Sequence, residues 1–171
     1  MDRRQAHKFC ICCGKEINID RNERNCTSCG FKDFVNPIPA VGGVIVIEDR
    51  ILLVKRARKP EKGKWDLPGG FVEINENFED AIKREIKEEL GVKVTSIKYF
   101  NSVLDTYLFS EVRDYIVVIN FLVSVDSTDF LPSDDIDEAV LFDLHNLPMN
   151  SIAFTSVAET LRQYEKTIVV E

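Results

Sequence analysis

No stretch of this 171-residue chain approaches the roughly 18 consecutive apolar residues that a membrane span requires. Its N-terminus carries charges in place of the apolar run of a secretory signal, so a soluble, cytoplasmic protein without membrane partners is expected. Positive charge is short as well: 22 Lys and Arg face 29 Asp and Glu, a net charge of −7. Nonspecific attraction to nucleic acid is therefore not the leading expectation, although local basic patches can still hold phosphate. Histidine occurs twice, as His7 and His145, and both are expected at the surface. No internal repeat or low-complexity segment is visible. What remains, 44% apolar and 30% charged residues, suits one globular domain with a small attachment.

All five cysteines fall within the first 29 residues. Two copies of C-x-x-C-G, Cys10 and Cys13 with Gly14 and then Cys26 and Cys29 with Gly30, are separated by twelve residues. Two thiolates three positions apart on a tight turn can face one ion, and two such turns complete a tetrahedral S₄ zinc site. A segment with so few large apolar side chains buries too little surface to fold unaided, which gives a metal staple a physical task. Two disulfides, or a redox dithiol, compete with this reading; the lack of a secretory signal and the paired geometry weigh against them. Cys12 is then a bystander. Four protein ligands leave no open position, so the zinc is expected to be structural. Residues 1–35 carry seven basic and five acidic side chains and no basic helix, so a stabilising or partner-binding appendage is preferred to a nucleic-acid finger. The two prolines of "VNPIPAVGG" place the boundary near Asn36, giving a ribbon over 1–35 and a main domain over 36–171.

In the main domain "VGGVIVI" and "ILLVKR", separated by "EDR", read as a hairpin, followed by the long loop "ARKPEKGKWDLPGG". A helix is predicted from about Asn77 to Leu90, ended by Gly91. "VTSIKYFNSVL", "YIVVINFLVSV" and "AVLFDL" read as strands, and "SIAFTSVAETLRQYE" as a last helix. Without a regular βαβ repeat the expectation is an α/β fold: a mixed sheet with helices on its faces.

At 100° per residue Phe78, Ala81 and Ile82 form the natural buried stripe of the first helix, and helical steps from them reach Glu85, Glu88 and Glu89 on nearly the same side. The acids stand where core belongs. Two ionised carboxylates about 5–6 Å apart repel by about 3 kcal/mol at an effective dielectric near 20, before desolvation. Mg²⁺ or Mn²⁺, which prefer hard oxygen ligands, would offset that cost. A solvated charged face should lie instead on the side of Lys83 and Lys87.

Gly70, Glu76 and the run Arg84-Glu85-Ile86-Lys87-Glu88-Glu89-Leu90-Gly91-Val92 match the Nudix box at every specified position, and "WDLPGGFVE" resembles the family's approach to it. The likeness spans about residues 38–150, and the N-terminal ribbon is similar to the zinc ribbons of NADH pyrophosphatase-like members. What the resemblance implies is a loop–helix–loop on an α/β/α sandwich that hydrolyses a nucleoside diphosphate linked to another moiety, a small-molecule nucleotide substrate. It implies metal-binding and base-positioning roles for Glu85, Glu88 and Glu89, a further ligand in the Gly69 carbonyl, and a structural pairing of Arg84 with Glu76. Gly70 and Gly91 complete the structural box.

Lys55, Arg56, Arg58, Lys59, Lys62 and Lys64 cluster before the box and could clamp phosphates; Arg56, then Lys64, are the candidates. Many family members carry another acid some 40 residues downstream. Among Asp134, Asp135, Asp137 and Glu138 the preference is Glu138, with Asp135 second. Tyr99, Phe100, Tyr107, Phe109 and Tyr115 could stack a base, although most aromatics in strands are packing. The S-Q-P-W-P-F-P-x-S array of NADH pyrophosphatases is missing from residues 96–115, which favours ADP-ribose or a nucleotide sugar over NADH, with nucleoside triphosphates next. A non-catalytic sensor or scaffold is the alternative of another class; the complete box argues for an enzyme. A homodimer is compatible with the family's habits and is specified by no residue.

Overall fold

The computed structural model describes residues 2, 6, 8–109 and 111–168, with the side chain of Phe109 and the whole of His7 lying outside them. The chain divides into two compact units, one of residues up to Ile38 together with Thr106–Ile116, the other of Pro39–Asp105 with the residues from Val117 onward.

The first unit holds a three-stranded antiparallel sheet, β1 (Asn18–Asp20), β2 (Glu23–Asn25) and β3 (Lys32–Phe34), in that order. Asn18 faces Asn25 and Arg24 faces Asp33, and the Arg24 guanidinium pairs with the Asp33 carboxylate. From the other part of this unit Tyr115 donates its hydroxyl proton to Asp2 at 2.7 Å.

In the second unit β4 (Ile38–Ile47) and β5 (Arg50–Arg56) form the expected hairpin, turning at Glu48 with φ 56°. β6 (Trp65–Asp66) is a two-residue strand inside the long loop. β7 (Val94–Phe109) and β8 (Val112–Val125) run on beyond the strands read from the sequence, and their parts within Thr106–Ile116 are counted with the first unit. β9 (Ile136–Asp143) starts three residues before "AVLFDL" because Lys55 to Arg50 offer it a continuous antiparallel edge. The sheet order is β6-β5-β4-β8-β7, with β9 on β5. The first helix, α1 (Phe78–Leu90), begins where Asn77 accepts the Asp80 N–H and ends where Gly91 turns left-handed. The second, α2 (Thr155–Ile168), starts later than expected, since Asp105 accepts the Thr155 hydroxyl and the Ser156 N–H at 3.0 and 2.7 Å. Met149–Ser151 is a separate 3₁₀ turn.

Adjacent glycines on β4 show the layering, because successive residues of a strand face opposite ways. A Cβ on Gly43 would meet Ile82 and Ile86 of α1, whereas one on Gly42 would meet Asn120, whose amide donates to Thr160 of α2. The sheet is therefore sandwiched between the helices. The core lies on the α1 side, where Ile45, Leu52, Ile82, Ile86 and Leu90 are each at most 1% exposed. Among the described residues no helix is long and apolar enough to cross a membrane.

Candidate active site and cysteine cluster

Helical phase settles which box residues are buried. Ala81, Ile82, Ile86 and Leu90 form the apolar stripe at 0% exposure, and Glu89, within about 20° of Ile82 around the axis, joins them at 4%. Glu85 sits on the flank, half-buried, and Glu88 is exposed. Phe78 departs from expectation: as the first residue of α1 it is 39% exposed, whereas Ala81 and Ile82, three and four residues further in, are fully buried.

β4 and β5 pair at Val46–Ile51 and Ile47–Arg50, next to their turn. Further along β4 the glycine loop takes the pairing position, with Gly43 N–H donating to Pro68, Val41 N–H to Gly70, and Val72 N–H to Pro39, at 2.8, 2.8 and 3.2 Å. At Gly69 φ is 146° and a Cβ would stand 2.2 Å from the Val41 oxygen, so only glycine fits. Pressed onto β4, Gly69 aims its N–H at Glu89 Oε2, 2.9 Å away. A Cβ on Gly70 would lie 2.5 Å from Glu85 Oε1, so the backbone passes directly beneath that carboxylate.

Arg84 ties this loop to α1. Its Nε and Nη2 donate to the two oxygens of Glu76 at 2.9 Å each, Nη2 also to the Phe71 carbonyl at 3.1 Å, and Nη1 to Glu85 and Glu88 at 2.8 and 3.0 Å. These acids hold the guanidinium charged more firmly than usual, and Arg84 in turn holds Glu76 below the ordinary carboxylate range. Burial pushes Glu89 well above that range against the pull of the Gly69 N–H, with Glu85, Asp135 and Asp66 adding to the rise. Glu85 is raised too, by burial, against Arg84.

Asp66, which the sequence reading passed over, is 9% exposed. A lone acid between Trp65 and Leu67 in an apolar approach to the glycines was the available signal. It accepts the Leu67 N–H at 2.9 Å and Arg56 Nη1 at 2.8 Å, and burial pushes its carboxyl up to about 6 against the Arg56 charge. Arg56 also donates Nε to the Pro60 carbonyl at 2.8 Å and lies 4.9 Å from the Phe154 ring centre. Lys64 pairs with Glu61, and Arg58 reaches Asp134 at 3.4 Å. Glu138, on β9, bonds Lys55 Nζ at 2.9 Å with its side chain 51% exposed, whereas the charge of Asp135 acts on Glu85, Glu89 and Asp66. His145 is exposed, Tyr99 is 58% exposed, and Phe100 packs edge-on against Tyr164.

The donor set fits a hard dication: oxygen ligands, one of them buried with a raised affinity for a positive partner. Glu85 and Glu88 would have to turn from Arg84 to share it. In the other unit the Sγ atoms of Cys10, Cys13, Cys26 and Cys29 lie within 4.8 Å of one another, with Cys10–Cys29 at 3.7 Å and Cys13–Cys26 at 3.6 Å. A tetrahedron with Zn–S bonds of about 2.3 Å has edges of about 3.8 Å, so the cluster has the size zinc requires. Each turn closes alike: Gly14 and Gly30, both left-handed, donate to the carbonyls of Cys10 and Cys26. Cys12 points to solvent.

A mixed-sheet α/β fold that sets Glu85 and Glu89 of one helix behind a glycine turn is the architecture of a pyrophosphohydrolase class. The chain belongs to the Nudix family, the NUDIX domain model matching residues 36–163, and it is a Nudix pyrophosphohydrolase. It is similar to the ADP-ribose pyrophosphatase of Methanocaldococcus jannaschii, 40% identical over 120 residues that make up 69% of either chain. It also resembles the NAD-capped RNA hydrolase NudC of Chromobacterium violaceum, 31% identical over 146 residues, 84% of this chain and 52% of that protein. The chain thus spans about half the length of that relative. A solved NUDIX hydrolase from Nitrosomonas europaea superposes with a TM-score of 0.68 at 29% identity, covering 94% of this chain and 91% of the other.

Proposed function

We propose that the protein hydrolyses the pyrophosphate bond of a nucleoside diphosphate linked to another group, with ADP-ribose first and nucleotide sugars next. The observation that carries the reading is Glu89: an acid on the core stripe of α1, 4% exposed, met by the Gly69 N–H and strained toward protonation unless a cation joins it. The likeness to an ADP-ribose pyrophosphatase supports the substrate class. NADH is the second reading, favoured by the likeness to NudC and weakened by the missing aromatic-proline array.

In this reading Glu85, Glu88 and Glu89, with the Gly69 carbonyl, would hold Mg²⁺ or Mn²⁺. When bound, such an ion neutralises the diphosphate and acidifies a water. One of these carboxylates, Glu89 being the candidate, takes or orients the remaining proton. Arg84 and Glu76 keep α1 seated on the glycine loop. Arg56 and Lys64 would contact the phosphates, Arg56 with its orientation already set by Pro60 and Asp66. As downstream acid we take Asp135 over Glu138, since the Asp135 charge reaches the glutamates while Glu138 is engaged by Lys55. Residues 1–35 would form a structural zinc ribbon and 36–171 the catalytic domain.

The test is an activity screen with Mg²⁺ and with Mn²⁺ over ADP-ribose, NADH, sugar nucleotides, nucleoside triphosphates and dinucleoside polyphosphates. ADP-ribose should be hydrolysed to AMP and ribose 5-phosphate, and Glu89→Gln should lower kcat by about 10² or more with its circular dichroism unchanged. No turnover of any compound, or an unimpaired Glu89→Gln protein, would overturn the reading.

A further inference from the structure

The last carbonyls of a helix lack partners within it, and those of α1 belong to the residues that carry the site. Gly91 N–H closes on Lys87 at 3.1 Å. The next three are met from one distant loop. Glu88 O accepts the Ser133 hydroxyl, Glu89 O accepts the Ser133 N–H at 3.0 Å, and Leu90 O accepts the Leu131 N–H at 3.0 Å. Ser133 therefore grips the backbone of two box glutamates, and two residues further on the same loop stands Asp135.

The geometry of that short span is closely determined. Ser133 O accepts the Ile136 N–H at 3.3 Å, closing a turn around Asp134, which is left-handed at φ 59°. Asp135 O accepts the Ala57 N–H at 2.7 Å, anchoring the far side of the turn at the end of β5. Asp135 is thus held between two fixed points, the last turn of α1 through Ser133 and the end of β5 through Ala57.

We propose that Ser133 is a positioning residue: by capping the carbonyls of Glu88 and Glu89 it sets Asp135 at its working distance from the acid face of α1. The proposal rests on the reading of Asp135 as the downstream acid. Ser133 touches no reacting group; it acts through Asp135. A hydroxyl is required, and threonine supplies one, whereas alanine retains only the backbone bond.

The experiment measures kcat and KM of the full chain with ADP-ribose and Mg²⁺, or with whichever compound of the screen turns over fastest, for Ser133→Ala, Ser133→Thr, Asp135→Asn and the double variant Ser133→Ala/Asp135→Asn. Ser133→Ala should lower kcat about tenfold with KM within about twofold, and Ser133→Thr should recover most of that loss. In the Asp135→Asn background the alanine change should alter kcat by less than about twofold, because the loss it causes has already been taken. An unchanged kcat in Ser133→Ala, or a loss that multiplies in full onto Asp135→Asn, overturns the proposal while leaving the catalytic reading intact. Full activity in Asp135→Asn overturns both the assignment of Asp135 and the role of Ser133.

Discussion

Arg84 grips Glu76 with two parallel hydrogen bonds, Nε and Nη2 each meeting one carboxylate oxygen at 2.9 Å. The seven residues between them contain the end of the glycine loop and the start of α1, so the fork sets the angle at which the helix enters the site. The remaining nitrogen reaches Glu85 and Glu88, linking the scaffold to the acids themselves.

A lysine has one point charge and no fork, and cannot satisfy both Glu76 oxygens and the Phe71 carbonyl together. Arg84→Lys and Glu76→Gln are each expected to lower kcat/KM about tenfold or more, as loss of an outer partner of metal ligands commonly does. Steady-state kinetics against a Mg²⁺ titration measures this. Wild-type activity in both variants would mean that the fork is dispensable.

Stability should depend on pH through the buried acids. Asp66 has an ordinary value of 3.8 and is pushed up to about 6, so the folded state favours its protonated form. Its contribution is fully present below pH 4 and is lost as pH rises through about 6, about 3 kcal/mol in all. Glu89 and Glu85 act in the same sense, extending the loss upward, while Glu76, lowered by Arg84, works oppositely only below 4.5. In Mg²⁺-free buffer the melting temperature should fall between pH 4.5 and 7.5, with a shallower slope in Glu89→Gln and partial recovery on adding Mg²⁺. A flat profile in the unaltered protein would contradict this account.

The cysteine cluster makes a separate prediction. Without a cation Cys26 is drawn down to about 6 by the Cys29 N–H, while Cys29 is driven up to about 12 by burial and the neighbouring thiols, against the Phe31 N–H. The four sulfurs thus cannot all ionise unaided, and a zinc ion would let them. Elemental analysis should give one zinc per chain, thiol titration should find Cys12 alone reactive, and Cys26→Ser should release the metal. Four fast-reacting thiols in the native protein would exclude the S₄ site.

Much of this was legible in the residues alone. The extent of α1 followed from Asn77, the apolar spacing and Gly91, and the burial of Glu89 from its phase with Ile82, whereas Glu88, expected on that same buried side, is exposed because it lies about 120° from Ile82 around the axis. The cysteine pairs announced their cluster by spacing. Other features were not readable. Phe78 lay on the right side of the helix but at its very first residue, where it stays exposed. The choice between Glu138 and Asp135 lay beyond short-range reading as well, since the Lys55 partner of Glu138 is 83 residues away along the chain.

By itself the sequence determined what is local: helical phase, caps, the glycine turn and the thiol pairs, because each depends on backbone geometry over a few residues. Only the tertiary structure decided which distant groups meet: Asp66 with Arg56, Ser133 with the last turn of α1, and Asp135 with Ala57 at the end of β5. Those meetings depend on where β5, β9 and the helix end converge in space, and strand pairing across more than 80 residues leaves no mark in any short window of sequence.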